Sequence, residues 1–294
     1  MIDAAPRRRT PATSRHRGTT LLLTTLLALL LAAPAAASAA VEPSATAAAA
    51  TAASTSTTAT TASAMARDLL TWINRDRVAA GLRVLRSWPA MASLANQRAA
   101  NMAASGTLSH QAAGGDPGAA LTARHLQWYS YGEIIGESSY GWGYAAAANL
   151  YSMWKASPVH HSIMFSATYN YVGVGIARAA NGSTWASILF TESVDHTPPV
   201  ARTGSLTLIR GTSIHFTWSG ADPLLQTHTA GLRSFDVLYR VDSGAWHLIR
   251  NDTTMTWLGL SNRAHRHYYS FRVQAADRRG NLSAWTPIKR IWVP

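Results

Sequence analysis

Apolar positions beyond residue 64 follow two periods. In MARDLLTWINRDRVAAG, Leu69, Leu70, Ile73 and Arg77 recur at helical spacing, and Gly81 stands where a helix C-terminus favours glycine. A second helix is predicted over residues 89–105, opened by Pro89 and ended by Gly106, with Met91, Leu94, Ala95, Ala99 and Met102 on one face. A third is predicted over 144–156 and stopped by Pro158. The period then drops to two in YVGVGIARA and STWASILFT, two alternating runs joined by Asn181-Gly182, a strong hairpin signal. This order predicts helices flanking a small antiparallel sheet.

Thr197-Pro198-Pro199 ends that pattern. SLTLIR, TSIHFTW, RSFDVLYRVD, AWHLIR, TTMTWLGL, YYSFRVQAAD and WTPIKRIWV are short alternating segments separated by Gly, Asp and Asn turns. Such spacing predicts a β-sandwich. In Tyr269, Phe271, Val273 and Ala275 every second residue is apolar, as one buried sheet face requires. The fold class is therefore α+β, with a helical domain over 65–196 and an all-β domain over 197–294.

The N-terminus belongs to neither domain. Arg7, Arg8, Arg9, Arg15 and Arg17 precede an uncharged leucine-rich run that ends in small residues at Ala40. That order predicts a signal peptide over 1–40 and an exported protein. Residues 41–64, almost only Ala, Thr and Ser, hold no large apolar side chain and are expected to form a disordered tether. No later stretch reaches the roughly 18 apolar residues of a membrane helix, so no span is expected once the signal is removed. The chain has no cysteine, which excludes disulfides, thiol nucleophiles and thiolate metal sites. Of the net charge of +12, the segment 197–294 contributes most, with 12 basic and 5 acidic side chains. A basic exported domain suits anionic envelope polymers or lipid head groups. Its arginines are scattered through strands and turns, so nucleic acid is not an expected partner.

The helical domain is short of ionisable groups. Its histidines are His110, His125, His160, His161 and His196, and its acids include Asp68, Asp76, Glu133, Glu137, Glu192 and Asp195. Asp68 and Asp76 lie among arginines and read as surface partners. The run INRDRVAAGLRVLRSWPAMASLANQRAANMAASGTLSH, followed by GEIIGES, WKASPVHHSIMF and VGVGIA, resembles the CAP superfamily of cysteine-rich secretory proteins, antigen five and pathogenesis-related proteins. The likeness covers about Met65 to Asp195 and rests on the order of the motifs. It implies an α-β-α sandwich with a central cleft, lined by His110 of LSH, Glu133 of GEI and His160 of SPVH. Two positions depart from the pattern. The second glutamate of eukaryotic members falls on Ser157, and the asparagine after the motif glutamate is Ile134. Glu192, in the last strand, is a candidate replacement carboxylate. Glu137 lies off the motif and reads as a loop residue.

Two imidazoles and a carboxylate can hold a divalent metal such as zinc with open positions. The same groups can equally form a hydrogen-bonded cluster that fixes the cleft without metal. Motifs HExxH and GxSxG are absent, as are a Walker loop and a dinucleotide fingerprint. Ser157 precedes His160 by one helical turn, a spacing open to a nucleophile–base pair. Ser157-Pro158 reads first as a helix cap followed by a first-turn proline. Neighbours on a helix point about 100° apart, so His160 is assigned to the cleft and His161 to solvent. Met164 and Phe165 should then anchor the turn in the core.

The last hundred residues resemble a fibronectin type III domain, with Trp218 as core tryptophan, Tyr269 as corner tyrosine and DRRGNLSAW before the last strand. Trp246, Trp257, Tyr268, Trp285 and Trp292 could form a sugar-stacking surface, but half of any strand's residues face inward, so most of them read as core residues. The expectation is a secreted, non-catalytic CAP-type protein that binds a lipid, a small apolar ligand or an anionic cell-envelope polymer, its basic tail serving adhesion or spacing. The alternative is a divalent-metal-dependent hydrolase using His110, Glu133 and His160.

Overall fold

The computed structural model describes residues 45–294; the expected signal peptide lies outside the described residues. Helix α1 (Ala45–Ala79) starts well before the predicted helix. The segment 41–64, expected to be a disordered tether, is therefore helical from Ala45 onward. A lack of large apolar side chains rules out a core but not a helix. Alanine has the highest helix propensity, and this extension continues a helix that docks. Ala62 already packs against the core.

Strand β1 (Arg86–Ser87) leads into α2 (Pro89–Ser105), which has the predicted bounds; Gly106 closes it at φ 64° and donates its N–H to the Met102 carbonyl. The short helices α3 (His110–Ala113) and α4 (Pro117–Ala123) are capped by the side chains of Ser109 and Asp116. Next come β2 (Ser130–Ser138), α5 (Tyr144–Ala156), α6 (Pro158–Met164), β3 (Tyr171–Arg178) and β4 (Thr184–Glu192). Strand β2 carries GEIIGES, so Glu137 belongs to a strand rather than a loop. The sheet runs β1-β3-β4-β2, with β1 parallel to β3 and the other pairs antiparallel.

Alternation along β3 sorts its residues between two helical layers. Val172, Val174 and Ile176 join Leu69, Ile73, Leu150 and Trp154 in a core formed with α1 and α5. Gly173 and Gly175 face α2. A Cβ on Gly175 would lie 2.0 Å from the Ala95 carbonyl carbon, and one on Gly173 2.4 Å from that of Met91. The α2 backbone thus rests directly on the strand, and Met91, Leu94 and Ala95 close this face with Tyr171 and Leu189. The result is the α-β-α sandwich that the resemblance implies. Arg77 ties α1 to the end of α6: its guanidinium, fully buried, donates to the carbonyls of Met164 (2.8 Å), Ser166 (2.9 Å) and Arg83 (3.1 Å). Burial pulls its pKa down to about 10. Asp76 accepts hydrogen bonds from Tyr151 and Lys155, joining α1 to α5.

The second domain consists of β5 (Val200–Ile209), β6 (Ser213–Ala221), β7 (Leu232–Val241), β8 (His247–Thr253), β9 (Trp257–Leu260), β10 (His267–Asp277) and β11 (Lys289–Val293). They form two sheets, β5-β6-β9 and β11-β10-β7-β8, in a fibronectin type III-like sandwich. Phe216, Trp218, Phe235, Val237, Tyr269, Phe271 and Val273 fill the space between them. Trp218 is in the core as expected, and the Tyr269 hydroxyl accepts the Ala264 N–H at 3.0 Å, the tie expected of a corner tyrosine. The other aromatics correct the sequence reading. Trp257, Tyr268 and Trp292 are 49%, 40% and 41% exposed. Neither Trp246 nor Trp285 belongs to the core cluster. Because Tyr269 and Phe271 point inward, Tyr268 must point outward, and Trp292 lies opposite it in the register.

The loop between β6 and β7 reaches back to the first domain. Leu225, 3% exposed, packs with Met91, Leu94 and Leu121. Around it, Gln226 accepts the Arg83 N–H (2.7 Å) and the Thr227 carbonyl accepts from Asn170 (3.0 Å). Among the described residues no helix is long and apolar enough to cross a membrane.

Candidate functional site

Ser109 accepts the Ala112 N–H and so caps α3, placing His110 at its first position. Glu133, on β2, projects toward α2, where Arg98 meets it. Glu133 Oε1 accepts from Arg98 Nε (2.6 Å) and Ser187 Oγ (2.7 Å). Its Oε2 accepts from Arg98 Nη2 (2.7 Å) and from His110 Nδ1 (2.7 Å). A carboxylate offers about four lone-pair sites, and all four are taken. The side chains of Arg98 and Glu133 are 2% and 1% exposed. Burial opposes ionisation of Glu133, but the hydrogen bonds from His110, Arg98 and Ser187 outweigh it and hold the carboxyl below its usual range. Arg98 also donates to the Gly115 carbonyl (2.9 Å), so one guanidinium fixes both the carboxylate and the turn after α3.

His160 lies half-buried on α6, with Nδ1 2.8 Å from Ser157 Oγ. Burial first, and the charge of His110 second, lower its pKa and favour the neutral ring. Ser157 occupies the cap position but makes no side-chain cap bond to the backbone; its hydroxyl turns to the imidazole instead. A Ser–His pair therefore exists, yet among the described residues no hydrogen bond orients His160 Nε2, as a nucleophile's base requires. His161 is exposed and stacks on Phe165 with ring centroids 4.3 Å apart, while Met164 is fully buried, as expected.

The set His110, Glu133 and His160 does not fit a three-ligand metal site. The lone pairs of Glu133 are filled and its charge is compensated by Arg98, so a cation on this carboxylate would have to displace either the His110 imidazole or the buried guanidinium. Glu192 is no substitute. It lies three residues along β4 from Leu189, the partner of Glu133, and an odd offset puts it on the other face. There its Oε1 meets His228 Nε2 of the second domain at 3.0 Å.

Arg98 and Ser187 are absent from the sequence reading of the site. Arg98 had a signal: it stands between Leu94 and Met102 on the apolar stripe of α2, where a charge requires a buried partner. Ser187 had none beyond its place in an alternating strand.

Residues 70–191 match the family model of the cysteine-rich secretory protein family, CAP. This part of the chain is a CAP domain. Among solved structures the chain resembles an outer surface protein of Borrelia burgdorferi, at 16% identity over 43% of this chain and 91% of that one, with a TM-score of 0.39. A cysteine-rich secretory protein of Staphylococcus aureus is 19% identical over 44% of this chain and 39% of that one, at a TM-score of 0.36. A fibronectin III-like protein of Clostridium thermocellum matches 33% of this chain and 96% of its own length, at 18% identity and a TM-score of 0.25. No curated protein sequence matches.

Within the CAP domain Ile134, at the family's asparagine position, is fully buried in the core shared with α1 and α5, so packing replaces the polar contact there. At the junction with the tail, Asp195, Asp222 and Asp277 bring carboxylate oxygens within 4.8 Å of one another. Asp195 accepts from the Tyr171 hydroxyl (3.1 Å) and from the N–H groups of Thr197 and Ala230 (both 2.8 Å). Burial raises the Asp222 carboxyl; the Gly231 N–H opposes this, and the charges of Asp195 and Asp277 add to it.

Proposed function

We propose that this chain is an exported, non-catalytic binding protein of the cell envelope, in which the CAP domain and the sandwich act as one unit. The observation that carries this reading is the complete hydrogen-bond shell of Glu133. Its carboxylate is charge-paired, satisfied and sealed, so it offers neither a free base nor a metal ligand. The cluster His110–Glu133–Arg98–Ser187 serves instead to lock α2, α3 and the sheet in one arrangement. Leu225 and the hydrogen bonds around it support rigid coupling of the tail.

The test is turnover. The chain without residues 1–40 is incubated with casein and with p-nitrophenyl acetate, with and without zinc, beside the His110→Ala and Glu133→Gln variants. The reading expects no hydrolysis above the buffer rate in any arm. Zinc-dependent hydrolysis that His110→Ala abolishes would overturn it in favour of the hydrolase.

A further inference from the structure

The tail's arginines look scattered along the sequence but gather in the fold. On the outer face of the sheet β11-β10-β7-β8, Arg240 and Arg290 both lie opposite Ser270, one on each side of β10. They are two strand spacings apart, about 10 Å. Arg272 lies in the next row outward along β10, opposite Leu238. Aromatic rings interleave with these cations. Arg272 Cζ sits 4.4 Å from the Trp246 ring and 4.9 Å from Trp285, and Arg240 Cζ is 4.7 Å from Trp246. Arg290 lies 4.4 Å over Tyr268, which in turn packs on Trp292 at 4.8 Å. The rings hold each guanidinium against the sheet, and beneath them Ser270 is only 1% exposed.

Among the described residues no ion pair reaches Arg240, Arg272 or Arg290, and Asp236, on the same face two residues along β7 from Leu238, accepts the Asp252 N–H at 2.7 Å. The Nε atoms of Arg240 and Arg272 are sealed and donate to nothing. The tail's Asp242 and Asp252 pair instead with His267 and Arg233. Three cations that are positioned, partly desolvated and without acid partners form a row of forks for carboxylates. The rings of Trp246, Trp285 and Tyr268 are taken up by guanidinium groups, whose N–H edges are left to do the recognition. The face is also cationic at Arg240, Arg272 and Arg290, unlike an apolar insertion surface for lipid.

We infer that this face binds an acidic polysaccharide, its carboxylates engaging Arg240, Arg272 and Arg290 while a sugar ring lies against the exposed Trp292. This deepens the proposed binding function and rests on it.

The experiment is titration calorimetry of the chain lacking residues 1–40 with alginate, at low and high salt, against neutral dextran, oligothymidylate and anionic phospholipid vesicles. Alginate should bind at low salt, weaken at high salt and outcompete the other three. Arg290→Gln, at an exposed position, and Arg272→Gln should each weaken binding about tenfold, the loss of one charge-assisted contact. Arg210→Gln, on the turn between β5 and β6, should leave affinity unchanged. Near-ultraviolet circular dichroism identifies any variant that fails to fold, and Arg290→Gln then decides alone. The inference is overturned if the folded parent does not bind alginate, if oligothymidylate or vesicles bind as well, or if Arg290→Gln binds like the parent. None of these results produces turnover, so they leave the non-catalytic reading standing; hydrolysis in the earlier assay would remove that reading whatever alginate does.

Discussion

Replacing Arg98 by methionine tests whether Glu133 is a buried structural anion. The substitution keeps much of the side chain's length and removes the guanidinium. Glu133 would keep the contacts from Ser187 and His110 but lose both bonds from Arg98, in a site where its side chain is 1% exposed. Breaking one partner out of a buried ion pair costs about 3–5 kcal/mol. For a cooperative unit of this size that is about 6–20 °C in Tm. The pH dependence gives a second, independent readout. In the parent the Glu133 carboxyl is held below its ordinary value, so its contribution is present above that value and is lost as pH falls through the lowered one. In Arg98→Met burial is opposed only by the His110 and Ser187 hydrogen bonds, so the carboxyl titrates higher than in the parent. The variant's deficit is therefore largest at neutral pH and shrinks as pH falls toward 4. Adding Glu133→Gln removes the stranded charge and should recover at least about 2 kcal/mol of the loss. Urea denaturation at pH 7 and pH 4.5, followed by far-ultraviolet circular dichroism, measures all three proteins. A deficit under about 1 kcal/mol in Arg98→Met, or one that does not shrink on acidification, would refute the assignment.

Gly175→Ala places a methyl 2.0 Å from the Ala95 carbonyl carbon, which only a shift of α2 can relieve; a loss of about 3 kcal/mol or more in urea denaturation is expected, with a milder loss for Gly136→Ala, whose neighbours are the side chains of Leu150 and Trp154. Asp222→Asn should raise Tm at pH 7 and leave it unchanged near pH 3.5. The raised Asp222 carboxyl costs stability only where it is ionised, above its ordinary pKa, and thermal scans across that range read the difference. Leu225→Ala removes the tail's apolar anchor from the α2 face at a cost of about 2–5 kcal/mol. Scanning calorimetry should then resolve two transitions, and a single unshifted one would show that this loop does not couple the domains.

What is legible in the sequence is what a local period determines. Helix α2 has its predicted bounds because a proline, an apolar stripe and a C-terminal glycine all act within a few turns. The hairpin of β3 and β4 and the seven strands of the tail follow from alternation and turn residues in the same way. The partner of Glu133 is not legible, since Arg98 is 35 residues away and meets it only through the seating of α2 on β3. That seating has its own sequence mark, the two glycines of VGVGIA, but a glycine announces a close approach without naming what approaches. The docking of Leu225 is hidden for a related reason: a single leucine in a polar loop has no period. The tail aromatics differ, because there residue type and strand parity point in opposite directions and parity wins. Tyr268 and Tyr269 are adjacent and chemically alike, so only the position of Phe271 and Val273 shows that one is core and the other surface. Parity alone puts Tyr268 and Arg272 together on the outer face of β10. A large aromatic ring on the solvent side of a strand leaves apolar area that a guanidinium can cover without losing its own N–H edges to the ring. Here the covering cations are the arginines on which the polysaccharide face depends.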